Sequence, residues 1–68
     1  MADARLLEEY YVASGKTKQF LCHKLIVSRP RLDKIFREPE TATVGQATTL
    51  KDELNICSAK DFNVIFLP

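Results

Sequence analysis

The chain holds one histidine and two cysteines, His23, Cys22 and Cys57, so any nucleophile–base chemistry must be built around a single imidazole. Cys22 and His23 are consecutive, and consecutive side chains on a strand point to opposite faces, which keeps thiol and ring from pairing directly. Bringing Cys57 to His23 needs an approach across a sheet that nothing in the sequence specifies. A thiol or histidine enzyme built on these three residues would need a depressed thiol pKa. With no CxxC pair, four closely spaced zinc ligands are not available. Each cysteine reads as a small buried apolar residue with a free thiol. Asp52 and Glu53 are adjacent, a spacing that cannot aim both carboxylates at one point, and they read as solvated loop charges. Ser14-Gly15-Lys16-Thr17 ends like a phosphate loop but lacks the upstream glycine and the strand–loop–helix setting. No catalytic, cofactor-binding or metal-ligating residue is assigned, and the chain reads as a non-enzyme with no cofactor.

Arg29, Arg31, Lys34 and Arg37 form a basic cluster, offset nearby by Asp33, Glu38 and Glu40. Nucleic-acid binding through it predicts retention on DNA that falls steeply with salt, but no aromatic stacking platform accompanies it. Ten Lys+Arg against nine Asp+Glu give a net charge of +1 over 68 residues, which supplies no global field for phosphate backbones or an anionic membrane. The expected partner is a protein, either another chain or a second copy as a homodimer, with no nucleic acid, membrane or small-molecule substrate. No apolar run reaches a membrane span, and the charged residues of Met1 to Val12 interrupt a signal-peptide pattern. The expected setting is intracellular, cytoplasmic or nuclear, and reducing.

The elements that would position these residues are read from periodicity. Ala2 to Glu9 contains good helix formers, with Leu6, Leu7 and Tyr10 one turn apart. Tyr10, Tyr11 and Val12 favour a strand, Ser14 to Thr17 is turn chemistry, and Gln19 to Val27 is rich in β-favouring residues, which together read as a hairpin. Gly15 is placed at positive φ in its loop, and Lys16 and Lys18 keep the hairpin end soluble. Pro30 after Ser28 favours a helix start, and Leu32, Ile35 and Phe36 form its apolar stripe until Pro39 stops it. Glu40 to Thr49 reads as a loop with a short edge strand at Thr41 to Val44, and Leu54 and Ile56 alternate as a strand. At the end, Ser58-Ala59-Lys60-Asp61 matches a capping pattern that puts Phe62, Ile65 and Phe66 on one helical face; period two instead lines up Phe62, Val64 and Phe66 on a strand.

Phe20-Leu21-Cys22-His23-Lys24-Leu25-Ile26-Val27, then Ser28 to Phe36, Glu53 to Ile56 and Asp61 to Leu67, resemble the BTB/POZ family over roughly residues 10 to 68. The resemblance implies an α+β fold, a β-hairpin followed by a helix, a further short strand and a terminal helix, in a minimal version of that domain. The same order, closed instead by a strand at Phe62 to Phe66, is similar to the ubiquitin-like β-grasp. The first resemblance implies a self-associating or adaptor-like module, such as a ubiquitin-ligase adaptor; the second implies a docking protein without conjugation activity, since a Gly-Gly tail is missing. One small domain over residues 1 to 68 is expected, with more apolar side chains than it can easily hide. Phe62, Ile65 and Phe66 are therefore the candidate partner-binding face.

Overall fold

The structure is a computed structural model that describes residues 2–67; Met1 and Pro68, the two ends of the expected single domain, lie outside the described residues. Five α-helices follow one another: α1 (Ala4–Ser14), α2 (Lys18–Leu25), α3 (Arg29–Arg37), α4 (Val44–Glu53) and α5 (Ala59–Phe66), with a 3-10 turn at Pro39–Thr41. No strand occurs among the described residues. This overturns the α+β expectation, in its hairpin-and-helix and its β-grasp form alike.

The hairpin fails because caps and helical spacing outweigh β propensity. Asp3 caps α1 by accepting a 3.0 Å hydrogen bond from the Leu6 amide, and buried Leu7 with half-buried Leu6, Tyr10 and Tyr11 makes an i, i+1, i+4, i+5 stripe. Tyr10 to Val12 therefore continue the helix. Gly15 takes positive φ, 72°, but as the left-handed residue that ends α1 and not as a hairpin bulge. Thr17 starts α2 by accepting from the Phe20 amide at 3.1 Å, and buried Leu21 and Leu25 stand four apart. Lys16 and Lys18 consequently guard no hairpin. Lys16 pairs with Glu53 at 2.9 Å, and the Lys18 ammonium lies 4.8 Å from the centre of the Phe36 ring.

The central helix agrees with its sequence: Ser28 precedes it, Pro30 sits in its first turn, and Leu32, Ile35 and Phe36 are buried. The Glu40 to Thr49 loop and its edge strand are corrected to the 3-10 turn and α4. A reciprocal capping box starts α4, with the Gln46 amide donating to Thr43 Oγ1 at 3.1 Å and the Thr43 amide donating to Gln46 Oε1 at 2.9 Å. Ala47, Leu50 and Leu54, at i, i+3 and i+7, then face the core. The expected Leu54–Ile56 strand is the turn that ends α4. Asn55 adopts φ 56° there, and buried Ile56 reaches back to donate to the Lys51 carbonyl. Of the two readings at the end of the chain, the helical one holds, capped by Ser58 at the Asp61 amide.

Among the described residues, twelve apolar side chains drawn from all five helices, the α4 end turn included, form one core, and no polar side chain is buried. Burying each large aliphatic group contributes roughly 1.5–3 kcal/mol before the ordering cost is subtracted. α2 packs on both α3 and α4, and α1 packs on α3 and α5. The ends of the chain are tied by the Asp3 amide donating to the Val64 carbonyl at 3.0 Å, and by the Tyr10 hydroxyl donating to Asp61. No helix among the described residues is long and apolar enough to cross a membrane.

Candidate nucleic-acid interface

The thiols and the imidazole occupy separate places. Cys22 and His23 are neighbours on α2, where successive side chains diverge by about 100°. Cys22 is half-buried, His23 is exposed, and Cys57 lies exposed on the connector between α4 and α5, which corrects the expectation that both cysteines are buried. No three of His, Cys, Asp and Glu gather as metal ligands among the described residues. A depression of about 420 Å³ bordered by Cys22, His23, Ile26 and Val27 is open to solvent.

Phe62, Ile65 and Phe66 do share one helical face, and that face turns into the chain's own core. Ile65 is fully buried, Phe66 is buried, and half-buried Phe62 rests against the Phe66 ring at 5.0 Å between centroids. One titratable group in this region is perturbed. The hydrogen bond to Asp61, then burial, then the charges of Asp61 and Cys57 raise the Tyr10 phenol above its ordinary value.

The exposed charge of the molecule is arranged differently at α2 and α3. Only Ile26, Val27 and Ser28 separate the two helices. The turn is closed by a left-handed residue, Ile26 at φ 57° and ψ 52°, and by the Val27 amide donating to the Cys22 carbonyl at 3.1 Å. Leu21 and Leu25 from α2 and Leu32 and Ile35 from α3 are all buried, which fixes the second helix against the first. With that stripe inward, Pro30, Asp33, Lys34 and Arg37, at i, i+3, i+4 and i+7, form the outer stripe of α3. Arg29 joins it through a 3.1 Å ion pair with Asp33.

Arg31, counted with the basic cluster in the sequence, is used internally. Its guanidinium donates to the Thr41 carbonyl at 2.7 Å and to Gln46 Oε1 at 3.1 Å, tying α3 to the start of α4. Lys18, which the sequence assigned elsewhere, stands instead beside α3 at the first turn of α2. α2 and α3 are thus two short helices joined by a three-residue turn, the second held by an apolar stripe and charged on its outward side. Comparison with family models, curated proteins and solved structures finds no match for this chain.

Sequence reasoning missed this unit because Ile26 occupies the position at which glycine usually announces a turn. Two signals lay in the chain: Thr17 and Ser28, residue types that favour a helix start, in front of two successive apolar stripes, Leu21 with Leu25 and Leu32 with Ile35 and Phe36.

Proposed function

We propose that this chain is a helix–turn–helix module that binds duplex DNA through α3. The observation that carries the reading is the outward stripe of α3, with exposed Lys34 and Arg37, on a helix fixed by a three-residue turn to its predecessor. In such a unit the second helix enters the major groove by its N-terminal residues while the first crosses the sugar–phosphate backbone. A groove about 12 Å wide admits an α-helix of ordinary diameter. In this reading Arg29, in the first turn of α3, meets base edges, and Lys18, Lys34 and Arg37 meet phosphates. This departs from the partner expected from net charge, because a sum over the whole chain hides that Lys34 and Arg37 stand outward on one helix, where Asp33 is already paired with Arg29.

With about three phosphates neutralised per copy, log affinity falls with log salt at a slope near −2.7, or about 40-fold between 50 and 200 mM. Fluorescence anisotropy of a labelled duplex titrated with the full chain measures this. Replacing Lys34 and Arg37 together by Ala should flatten the slope by roughly two. Absence of duplex binding at 50 mM salt, or a slope indifferent to both residues, overturns the reading.

A second reading keeps the protein partner, as a non-enzymatic self-associating or adaptor-like module. Its support is a set of exposed apolar side chains, among them Ile26 at 89%, Val44 at 85%, Val12 at 70% and Leu67 at 54% exposure. It expects a mass above the monomer in light scattering at high concentration, lowered by Ile26→Ser or Leu67→Ser. A monomer at every concentration removes the self-associating form.

A further inference from the structure

The Arg29–Asp33 pair has a geometry that bears on sequence choice. It lies on the outer side of α3, with side-chain exposures of 59% and 39%, so it adds little to stability. Its value lies in which nitrogen it uses. Asp33 Oδ1 accepts from Arg29 Nε at 3.1 Å, and Arg29 has no other hydrogen-bond partner among the described residues. The two terminal nitrogens are therefore left free as a planar fork. Such a fork matches the paired O6 and N7 acceptors that guanine presents in the major groove, whereas adenine offers a donor at one of those positions.

Resting on the DNA-binding reading above, we propose that Arg29 is the base-reading residue of this protein, selecting guanine, and that Asp33 is a positioning residue that holds the guanidinium for it. Asp33 sits one turn after Arg29 on the same side of α3, so it fixes the arginine before DNA arrives and removes part of the rotamer freedom that docking would otherwise freeze. It also carries a negative charge toward the phosphates. Asp33 thus acts in two opposed ways: it weakens attraction to any duplex and sharpens the choice among duplexes.

The test is selection by the full chain from a duplex library with a randomised central segment, followed by anisotropy on the selected duplex and on its single-base variants at one salt concentration. The wild type is expected to enrich a fixed G·C pair, and its change to A·T should weaken binding about 10-fold. Arg29→Lys keeps the charge and loses the fork, so affinity for the selected duplex should fall about 10-fold, toward that of its A·T variant, and the G over A preference should disappear. Asp33→Asn should tighten random-duplex binding and yet reduce the G over A preference, two opposite movements that a merely structural role would not produce. Unchanged helical circular dichroism in both variants confirms that the fold is intact. If the wild type binds no duplex, the DNA-binding reading and this inference fall together. If it binds duplex without a fixed G·C, or Arg29→Lys discriminates as the wild type does, the assignment of Arg29 fails and the DNA-binding reading stands. If Asp33→Asn keeps full discrimination, the positioning role is overturned.

Discussion

Helices α2 and α4 end in the same backbone device made from different residues. In α2 the left-handed residue is Ile26 and the following Val27 amide returns to the Cys22 carbonyl; in α4 it is Asn55 and the following Ile56 amide returns to the Lys51 carbonyl. In each case an exposed residue is followed by an apolar one turned toward the core. Asn tolerates this backbone region, and at the end of α1 Gly15 occupies it freely at φ 72°. Ile26 does not: a β-branched side chain in the left-handed region is an outlier. The strained cap is the one that joins α2 to α3, where the angle of the outward helix is set. The relaxed ones join elements whose task is to close the core.

A reciprocal pair of substitutions breaks this comparison. Asn55→Ile imports the strain into α4 and should cost about 1–2 kcal/mol, lowering the urea midpoint without changing the denaturant slope. Ile26→Gly removes strain from α2 and should contribute about 1 kcal/mol, since Ile26 is 89% exposed and its loss empties no core space. The gain is smaller than the loss because glycine brings extra freedom to the unfolded chain. If Ile26→Gly lowers the midpoint, the Ile26 side chain makes a contact that outweighs its backbone cost, and the contrast between the caps has another origin.

The same contrast explains what could be read from the sequence. The α3 stripe of Leu32, Ile35 and Phe36 was legible because Ser28 and Pro30 before it and Pro39 after it agree with its period. The terminal helix was half legible, since Ser58 and Asp61 supply a cap but Phe62, Val64 and Phe66 also fit a strand. α2 was misread because its run of β-favouring side chains ends in Ile26 and Val27, with no glycine to mark the stop. α4 was overlooked although Thr43 and Gln46 form a capping box, because Thr48 and Thr49 dilute its apolar period; their hydroxyls donate to the Val44 and Gly45 carbonyls one turn back. Of the candidate interface, Arg29, Lys34 and Arg37 were visible as a cluster. That Arg31 points away to Thr41 and Gln46, and that Lys18 comes to stand beside Phe36, are consequences of packing that spacing along one helix cannot carry.

The connector after Asn55 has an anchor that the α2–α3 turn lacks, and its failure should be the gentlest of these effects. Asn55 to Cys57 lead directly into α5, whose Asp61 accepts the Tyr10 hydroxyl from α1. The phenol must keep its proton to donate, and its pKa is raised in the folded chain, first by that hydrogen bond and then by burial and the nearby charges of Asp61 and Cys57. A group whose pKa rises on folding holds its proton more tightly when folded, so its contribution is complete below the unfolded value near 10 and is lost as pH climbs through the folded value. Urea midpoints measured from pH 8 upward should therefore fall above about pH 10 in the wild type. In Tyr10→Phe the starting midpoint should be slightly lower and the part of that fall due to Tyr10 should vanish, leaving whatever the other tyrosine and the lysines contribute. A wild-type and variant pair that decline in parallel above pH 10 would show that the Tyr10–Asp61 contact does not hold α5 against α1, and the two turns would then differ only in their left-handed residue.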